Sequence, residues 1–303
     1  MTPVLGESGL VAVLTALPSE YVAVRGHLRD IRPRTHPAGT LFEVGQVANG
    51  RAVALAGIGM GNMSAASLTE RMITEFAPAA VMFVGIAGGL RDRLALGDVV
   101  VATRVYAPHG GRSETDGFRS RPRAFDVSHR LEQAARRTEL LGRWRDALDD
   151  GPRPAVHFDP VVAGDVVLDS RESDHAHHLR QHYNDAVAVE MESAGFAQAA
   201  HLNEKVPMLV VRGISDLAGG AKRDTDAGGW QEVAARNAAA FAMCVAADVE
   251  IPTGAPGRPV DGGDPVNGSG PVVRNIVRGN GRVGQQIGVS YGAITIHQEE
   301  GQR

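Results

Sequence analysis

Val187-Ala188-Val189-Glu190-Met191-Glu192-Ser193, followed further on by Val210-Val211-Arg212-Gly213-Ile214-Ser215-Asp216, are two apolar runs that end in carboxylates, the second with an Arg inside it. Apolar runs of this length read as strands covered on both faces. Open α/β sheets bind ligands at the carboxyl ends of such strands, so both runs aim acids at one crevice. Buried charge in so apolar a setting is costly unless it serves a site. The plainer alternative is surface charge at strand ends, with Asp216 capping a helix.

Working outward, Leu10–Leu17 reads as a strand running into Pro18-Ser19-Glu20 and a helix over Tyr21–Leu28. Leu41–Val47 and Ala52–Ile58 form a strand pair across the Asn49-Gly50 turn signal. Ser64–Phe76 has helical periodicity ending before Pro78. Ala80–Val84 reads as a short strand turning at Gly85-Ile86-Ala87-Gly88-Gly89, and Val99–Thr103 as another. Residues 107–126 read as a loop and Ser128–Leu148 as a helix. His157–Leu168 holds two strand-like runs around Ala163-Gly164-Asp165, and Glu172–Tyr183 reads as an exposed helix. The two opening strands and a final helix, Trp230–Val249, complete a single three-layer α/β domain over residues 8–250 with a mixed, largely parallel central sheet. Residues 251–270 are Pro/Gly-rich and read as a disordered linker. Residues 271–298 are a short tail rich in Gly, Asn and Gln.

With 303 residues, 43% of them apolar and 22% charged, the chain has ordinary globular composition. A net charge of −4 leaves no electrostatic footprint for nucleic acid or anionic membrane. Cys244 is the single cysteine and reads as a buried structural thiol. The first residues do not resemble a signal peptide, and no run approaches the roughly 18 apolar residues of a membrane span; the expected location is cytoplasmic.

Gly57-x-Gly59-x-Gly61 and Gly85–Gly89 could cradle a ligand with backbone amides, but neither is a dinucleotide fingerprint, and the only lysines, Lys205 and Lys222, supply no Walker motif. His178 and His182 share a helix face with His175 and His177 nearby, without an evident acidic third ligand. No metal and no cofactor are expected. Arg119-x-Arg121-x-Arg123 reads as a charged loop rather than an anion site.

At these residues the chain resembles the nucleoside phosphorylase/nucleosidase superfamily, and most its hydrolytic methylthioadenosine/S-adenosylhomocysteine nucleosidase branch. The resemblance spans residues 10–247 in order: Ala16-Leu17-Pro18-Ser19-Glu20, Gly57-Ile58-Gly59, Gly85–Leu90, Leu96–Val100, Ala163-Gly164-Asp165, Val189–Glu192 and Arg212–Asp216. It implies three catalytic carboxylates. Asp216, with Ser215 beside it, would protonate or share a proton with N7 of a leaving purine. Glu192 would hold the ribose hydroxyls and stabilise an oxocarbenium-like sugar, with Met191 packing under the ring. Glu20 would orient and deprotonate water. Such chemistry needs a neutralised leaving group and an anion near the sugar cation. An acid that keeps its proton at neutral pH needs a water-poor setting.

The resemblance also assigns substrate contacts to Ile86, Ala87 and Gly88. Phe83 and Ile86 stand where phosphorylases of this superfamily carry an Arg and a Ser for phosphate, which favours water as nucleophile. Nucleosidases also place Ser at the Ile86 position, which leaves Glu20 and Arg212 to hold the water. Val167 stands where nucleosidases stack an aromatic residue on adenine, so base binding is assigned to Val167, Leu168 and backbone hydrogen bonds.

The start of the last helix, Trp230-Gln231, resembles the variant of this domain found in immune-type receptor systems. Asn275–Gly279 and Gln285–Gly292 resemble a bacterial amyloid signalling motif related to the RIP homotypic interaction motif, in which β-branched residues and amides suit in-register stacking. Together these imply a purine (adenine) nucleoside or nucleotide N-ribohydrolase. It would act as an effector in a defence or programmed-death pathway, as a homodimer or higher oligomer, and meet an amyloid-type partner through residues 271–298. A phosphate-dependent phosphorylase, a catalytically inactive nucleoside-sensing module, and a housekeeping nucleosidase with an inert tail remain open.

Overall fold

A computed structural model describes residues 9–115, 117–148, 153–170, 172–203, 206–218 and 228–250. The expected linker and tail lie outside the described residues. The axis of the domain is β5 (Ala80–Gly89), which pairs in parallel with β1 (Val11–Thr15) on one side and β12 (Met208–Asp216) on the other. From β1 the sheet runs through β4 (Ala52–Gly57) and β3 (Leu41–Gln46) to the edge strand β2 (Arg29–Thr35). From β12 it runs through β6 (Val99–Ala107) and β10 (Val156–Ala163) to β11 (Ala188–Glu190), which returns to pair antiparallel with β5. Strands β5, β12, β6, β10 and β11 therefore close into a ring, and β1 to β2 form an open wing. The sheet is mixed: β1–β4, β1–β5, β5–β12, β6–β10 and β10–β11 are parallel, whereas β12–β6 and the wing hairpins are antiparallel.

Both diagnostic apolar runs are strands buried on both faces. Every residue of β12 is buried, Arg212 and Asp216 included, and so are all three of β11. Helices α1 (Pro18–Arg25), α2 (Asn62–Phe76), α3 (His129–Leu141), α4 (Asp174–His182), α5 (Ser193–Leu202) and α6 (Trp230–Asp248) cover the sheet. α6 is Ala-rich because it lies against the backbone of β12: a Cβ on Gly213 would come within 2.0 Å of the Ala234 carbonyl oxygen. α5 meets α2 as closely, since a Cβ on Gly195 would lie 1.8 Å from the Asn62 carbonyl oxygen.

Several local expectations are corrected. Gly85–Gly89 is no turn: β5 continues to Gly89, because β12 pairs with it from Arg212 opposite Gly85 to Asp216 opposite Gly88. Residues 107–126 are not one loop. They hold a hairpin, β7 (Gly111–Glu114) with β8 (Gly117–Ser120), and β9 (Arg123–Asp126), which extends the sheet at β6. The helix expected over Ser128–Leu148 stops at Gly142, whose left-handed φ of 70° ends α3, and a short 3-10 turn (Arg143–Ala147) follows. His157–Leu168 holds one strand, ending at Ala163. Strand β2 and helix α5 were not anticipated. No helix among the described residues is long and apolar enough to cross a membrane.

Candidate active site

A cavity of about 310 Å3 opens where β1, β5, β11 and β12 end. Its wall carries the acids Glu20, Glu190, Glu192 and Asp216, the apolar Leu17, Ile86, Ala87, Val167 and Leu168, and also Met191, Ser215 and Gly88. The structure thus brings ten of the eleven sequence-assigned site residues to one cavity. Arg212 is the exception: it is fully buried behind the wall.

Glu20 owes its position to the first turn of α1, which Pro18 opens. Its Oε2 accepts the N–H groups of Ala16 and Leu17, each at 2.8 Å, and its Oε1 accepts the N–H of Ile86 at 2.9 Å. Burial pushes the Glu20 carboxyl up from its ordinary range, against the opposing pull of Arg212 and the three N–H donors. A carboxylate so held is a better proton acceptor than one in water. Ile86 meets Glu20 through its backbone, so the N–H contact does not depend on the isoleucine side chain.

Glu192 stands just before α5, and its side chain turns from the helix end to Gly61, whose N–H its Oε1 accepts at 3.1 Å. Gly59 and Gly61 have φ of 73° and 100°, conformations that favour glycine. The Gly57–Gly61 run therefore does direct a backbone amide into the site, but onto Glu192 itself. Asp216 is 4% exposed. Its Oδ1 accepts the Ala218 N–H at 2.9 Å, and the Ser215 hydroxyl donates to its Oδ2 at 3.1 Å. A Cβ on Gly88 would sit 2.9 Å from Asp216 Oδ1, so glycine there leaves room for the acid.

Glu190 lies in the same wall. Its carboxylate accepts the N–H of Glu192 at 3.2 Å, the N–H of Ser193 at 3.1 Å, and Arg212 Nη2 at 2.5 Å. Burial raises the Glu190 carboxyl, and Arg212 opposes that rise. The Arg212 guanidinium lies over the Phe83 ring at 4.3 Å. Phe83 is thus a buried support for Arg212.

Val167, assigned to the base, is 55% exposed at the cavity mouth, and Leu168 beside it is buried. The sequence reading missed Met60, Val166 and Gln231, which also line the wall. Their signal lay in position alone, beside glycine runs and at a helix start. The histidines of α4 lie away from the cavity, where His178 and His182 stack at 4.5 Å and Ser120 Oγ meets His178 Nε2 at 3.0 Å. Among the described residues no group of three or more His, Cys, Asp or Glu is arranged to hold a metal.

The chain is similar in sequence and fold to known proteins. The 5'-methylthioadenosine/S-adenosylhomocysteine nucleosidase of Mycobacterium tuberculosis (strain CDC 1551 / Oshkosh) is 30% identical over 229 residues, covering 69% of this chain and 86% of that protein. ATP nucleosidase Cap17 of Escherichia coli (strain KTE188) is 28% identical over 240 residues, which are 71% of this chain but 47% of that protein. Two crystal structures of 5'-methylthioadenosine/S-adenosylhomocysteine nucleosidases superpose well. The Neisseria meningitidis enzyme, in complex with methylthio-immucillin-A, has 27% identity and a TM-score of 0.66 over 78% of this chain and 97% of that one. The Colwellia psychrerythraea enzyme, in complex with adenine, has 26% identity and a TM-score of 0.68 over 80% and 96%. The domain is therefore homologous to N-glycosyl hydrolases and purine-nucleosidase-like. Since the pattern of the phosphorylase superfamily also matches residues 10–250, the chain belongs to that superfamily.

Proposed function

We propose that this protein is an N-ribohydrolase that cleaves adenine nucleosides with water. The observation that carries the reading is the convergence of Glu20, Glu192 and Asp216 on one cavity. In this mechanism the C1′–N9 bond breaks with its electron pair passing to the purine, and Asp216, steadied by Ser215 and Ala218, supplies or shares a proton at N7. Glu192 accepts the ribose hydroxyls and faces the cationic sugar, with Met191 beneath the ring. Water attacks C1′ and yields a proton to Glu20, whose burial suits it as a base; Arg212 supports that water from behind. The products are free base and a sugar bearing a new anomeric hydroxyl. Ile86, Ala87, Gly88, Val167 and Leu168 supply the remaining contacts.

Hydrolysis is favoured over phosphorolysis because no Lys or Arg stands among the described lining residues, and Arg212 is already paired. The same acidic wall favours a nucleoside without phosphates. Similarity to an ATP nucleosidase supports a nucleotide as the second reading. Exposed Met60 and Val167 at the cavity mouth support a homodimer that covers this rim. The reading as a defence effector regulated by amyloid-type assembly rests on the sequence of residues 271–298, which lie outside the described residues.

The test is to incubate the protein with adenosine, methylthioadenosine, S-adenosylhomocysteine and ATP, with and without phosphate, and to identify bases and sugars by mass spectrometry. Free adenine without phosphate is expected. Asp216→Asn should abolish release at an unchanged melting temperature; full activity in that variant refutes the acid assignment.

A further inference from the structure

We propose that Glu190 is a positioning residue that holds the sugar-side and water-side halves of the site in register. The inference rests on the nucleosidase reading above. Glu190 joins the two halves physically. Toward the sugar it accepts the N–H of Glu192 and that of Ser193 at the start of α5. Toward the water it accepts Arg212 Nη2, which also donates to Ser193 Oγ at 2.7 Å.

Arg212 has two further donors. Its Nε and Nη1 are buried and make no hydrogen bond to a described residue. Nη1 lies beside Gly85, where a Cβ would stand 2.1 Å from Nη1 and 2.7 Å from Glu20 Oε1. The cation therefore has a carboxylate on each side: Glu190 across Nη2, and Glu20 past Gly85. Opposite charges in a water-poor interior attract strongly. Glu190 fixes the guanidinium by its far edge, which keeps Arg212 from closing on Glu20 as a direct ion pair. Such a pair would occupy the base and weaken it as a proton acceptor. The charged groups in this interaction are Arg212 on β12, Glu190 on β11, Glu192 at the start of α5 and Glu20 on α1; Arg212 acts on Glu20, and Arg212 and Glu192 act on Glu190.

The experiment compares wild type, Glu190→Gln, Glu190→Asp and Ser193→Ala on the nucleoside that wild type cleaves, with kcat, KM and the pH profile of kcat/KM measured for each. Glu190→Gln removes the competing charge, so Arg212 turns to Glu20. The expected result is a kcat lowered about 10- to 100-fold with KM little changed, and an acidic limb moved to lower pH. Glu190→Asp keeps the charge on a shorter side chain, so its kcat should fall while its acidic limb stays in place. Ser193→Ala removes only the neutral anchor and should also keep the limb. A Glu190→Gln variant that keeps the wild-type limb overturns the proposal. If that variant does not fold, Glu190→Asp decides: wild-type kcat in it overturns the proposal, as does a lowered kcat that falls only in step with the melting temperature, and a lowered kcat with KM, melting temperature and acidic limb unmoved supports it. A wild-type protein that cleaves nothing in the panel sinks the nucleosidase reading instead, so the two failures are distinguishable.

Discussion

Adding one methyl group, Gly85→Ala, tests whether the geometry behind the cavity is functional. The new Cβ would stand 2.1 Å from Arg212 Nη1, 2.7 Å from Glu20 Oε1 and 2.9 Å from Glu20 Cδ. An ordinary van der Waals separation is about 3.5 Å, so the guanidinium has to move by about 1.4 Å. It has nowhere to go: Arg212 is 0% exposed, tied to Glu190 and Ser193, and laid over Phe83. Glu20 is equally held by three N–H groups. Overpacking of this kind costs up to about 3 kcal/mol, which in a domain of this size lowers Tm by about 6 to 12 °C. Misplacing a reacting group by about 1 Å lowers the rate about 100-fold. Adenine release followed by chromatography, beside a thermal melt, reads both effects. Gly26→Ala is the control, since its Cβ would meet only carbonyl oxygens at 3.5 Å and its φ of −60° suits alanine. A Gly85→Ala protein with wild-type kcat and Tm refutes the reasoning, because the two buried charges would then be free to yield.

Three further outcomes are expected. Gly195→Ala forces α5 away from the Asn62 carbonyl oxygen 1.8 Å distant, and should lower Tm by more than Gly85→Ala does in the same melting assay, because backbone cannot swing aside. Asp98 is largely buried, which by itself would raise its carboxyl, but hydrogen bonds from His157, Ala95 and Ala155 outweigh burial and hold it below its ordinary value. A lowered carboxyl contributes stability above its unfolded value, and that stability is lost as pH falls through the folded one; Asp98→Asn should therefore melt well below wild type at pH 7, with the gap closing toward pH 3. A synthetic peptide of residues 271–298 should form thioflavin-positive fibres, and a persistently monomeric peptide counts against the assembly reading.

The two apolar runs were legible because β11 and β12 are buried on both faces, and a strand with no solvent face has no alternation to obscure it. Other elements hid for physical reasons. β2 is an edge strand whose Arg29-Asp30-Ile31-Arg32-Pro33-Arg34-Thr35 sequence looks like a loop; at an edge, charge and proline block further pairing and are tolerated. α5 is buried almost all round and contains Gly195, so it shows no helical stripe and carries a poor helix former. The β7–β8 hairpin hid in a Gly-, Arg- and Ser-rich stretch that reads as loop, although Asp116-Gly117 within it is a hairpin turn pair. The glycines of β5 read as a turn or an amide cradle, whereas in the fold they are space. Arg212, Glu20 and Asp216 fill the volume that side chains at Gly85 and Gly88 would take. That distinction depends on what packs against the strand, and no local pattern records it.

The same logic explains how several acids share one small cavity. Glu20 is stabilised by the N–H groups of Ala16, Leu17 and Ile86, Glu192 by that of Gly61, and Asp216 by that of Ala218. Backbone N–H groups hold each carboxyl in place, and Glu20 also feels the Arg212 cation behind the wall. The buried cation Arg212 is committed to Glu190. In the proposed mechanism Glu192 is then the group that faces the sugar as its bond to the base breaks, and no Lys or Arg among the described lining residues draws in a phosphate, which favours water over phosphate. Placing a Lys at Ile86 should reverse that preference only if charge, rather than shape, excludes phosphate. Glu20 would still accept the backbone N–H of residue 86, so phosphate dependence gained by Ile86→Lys and not by the similarly long, uncharged Ile86→Met reports on charge at that position rather than on shape.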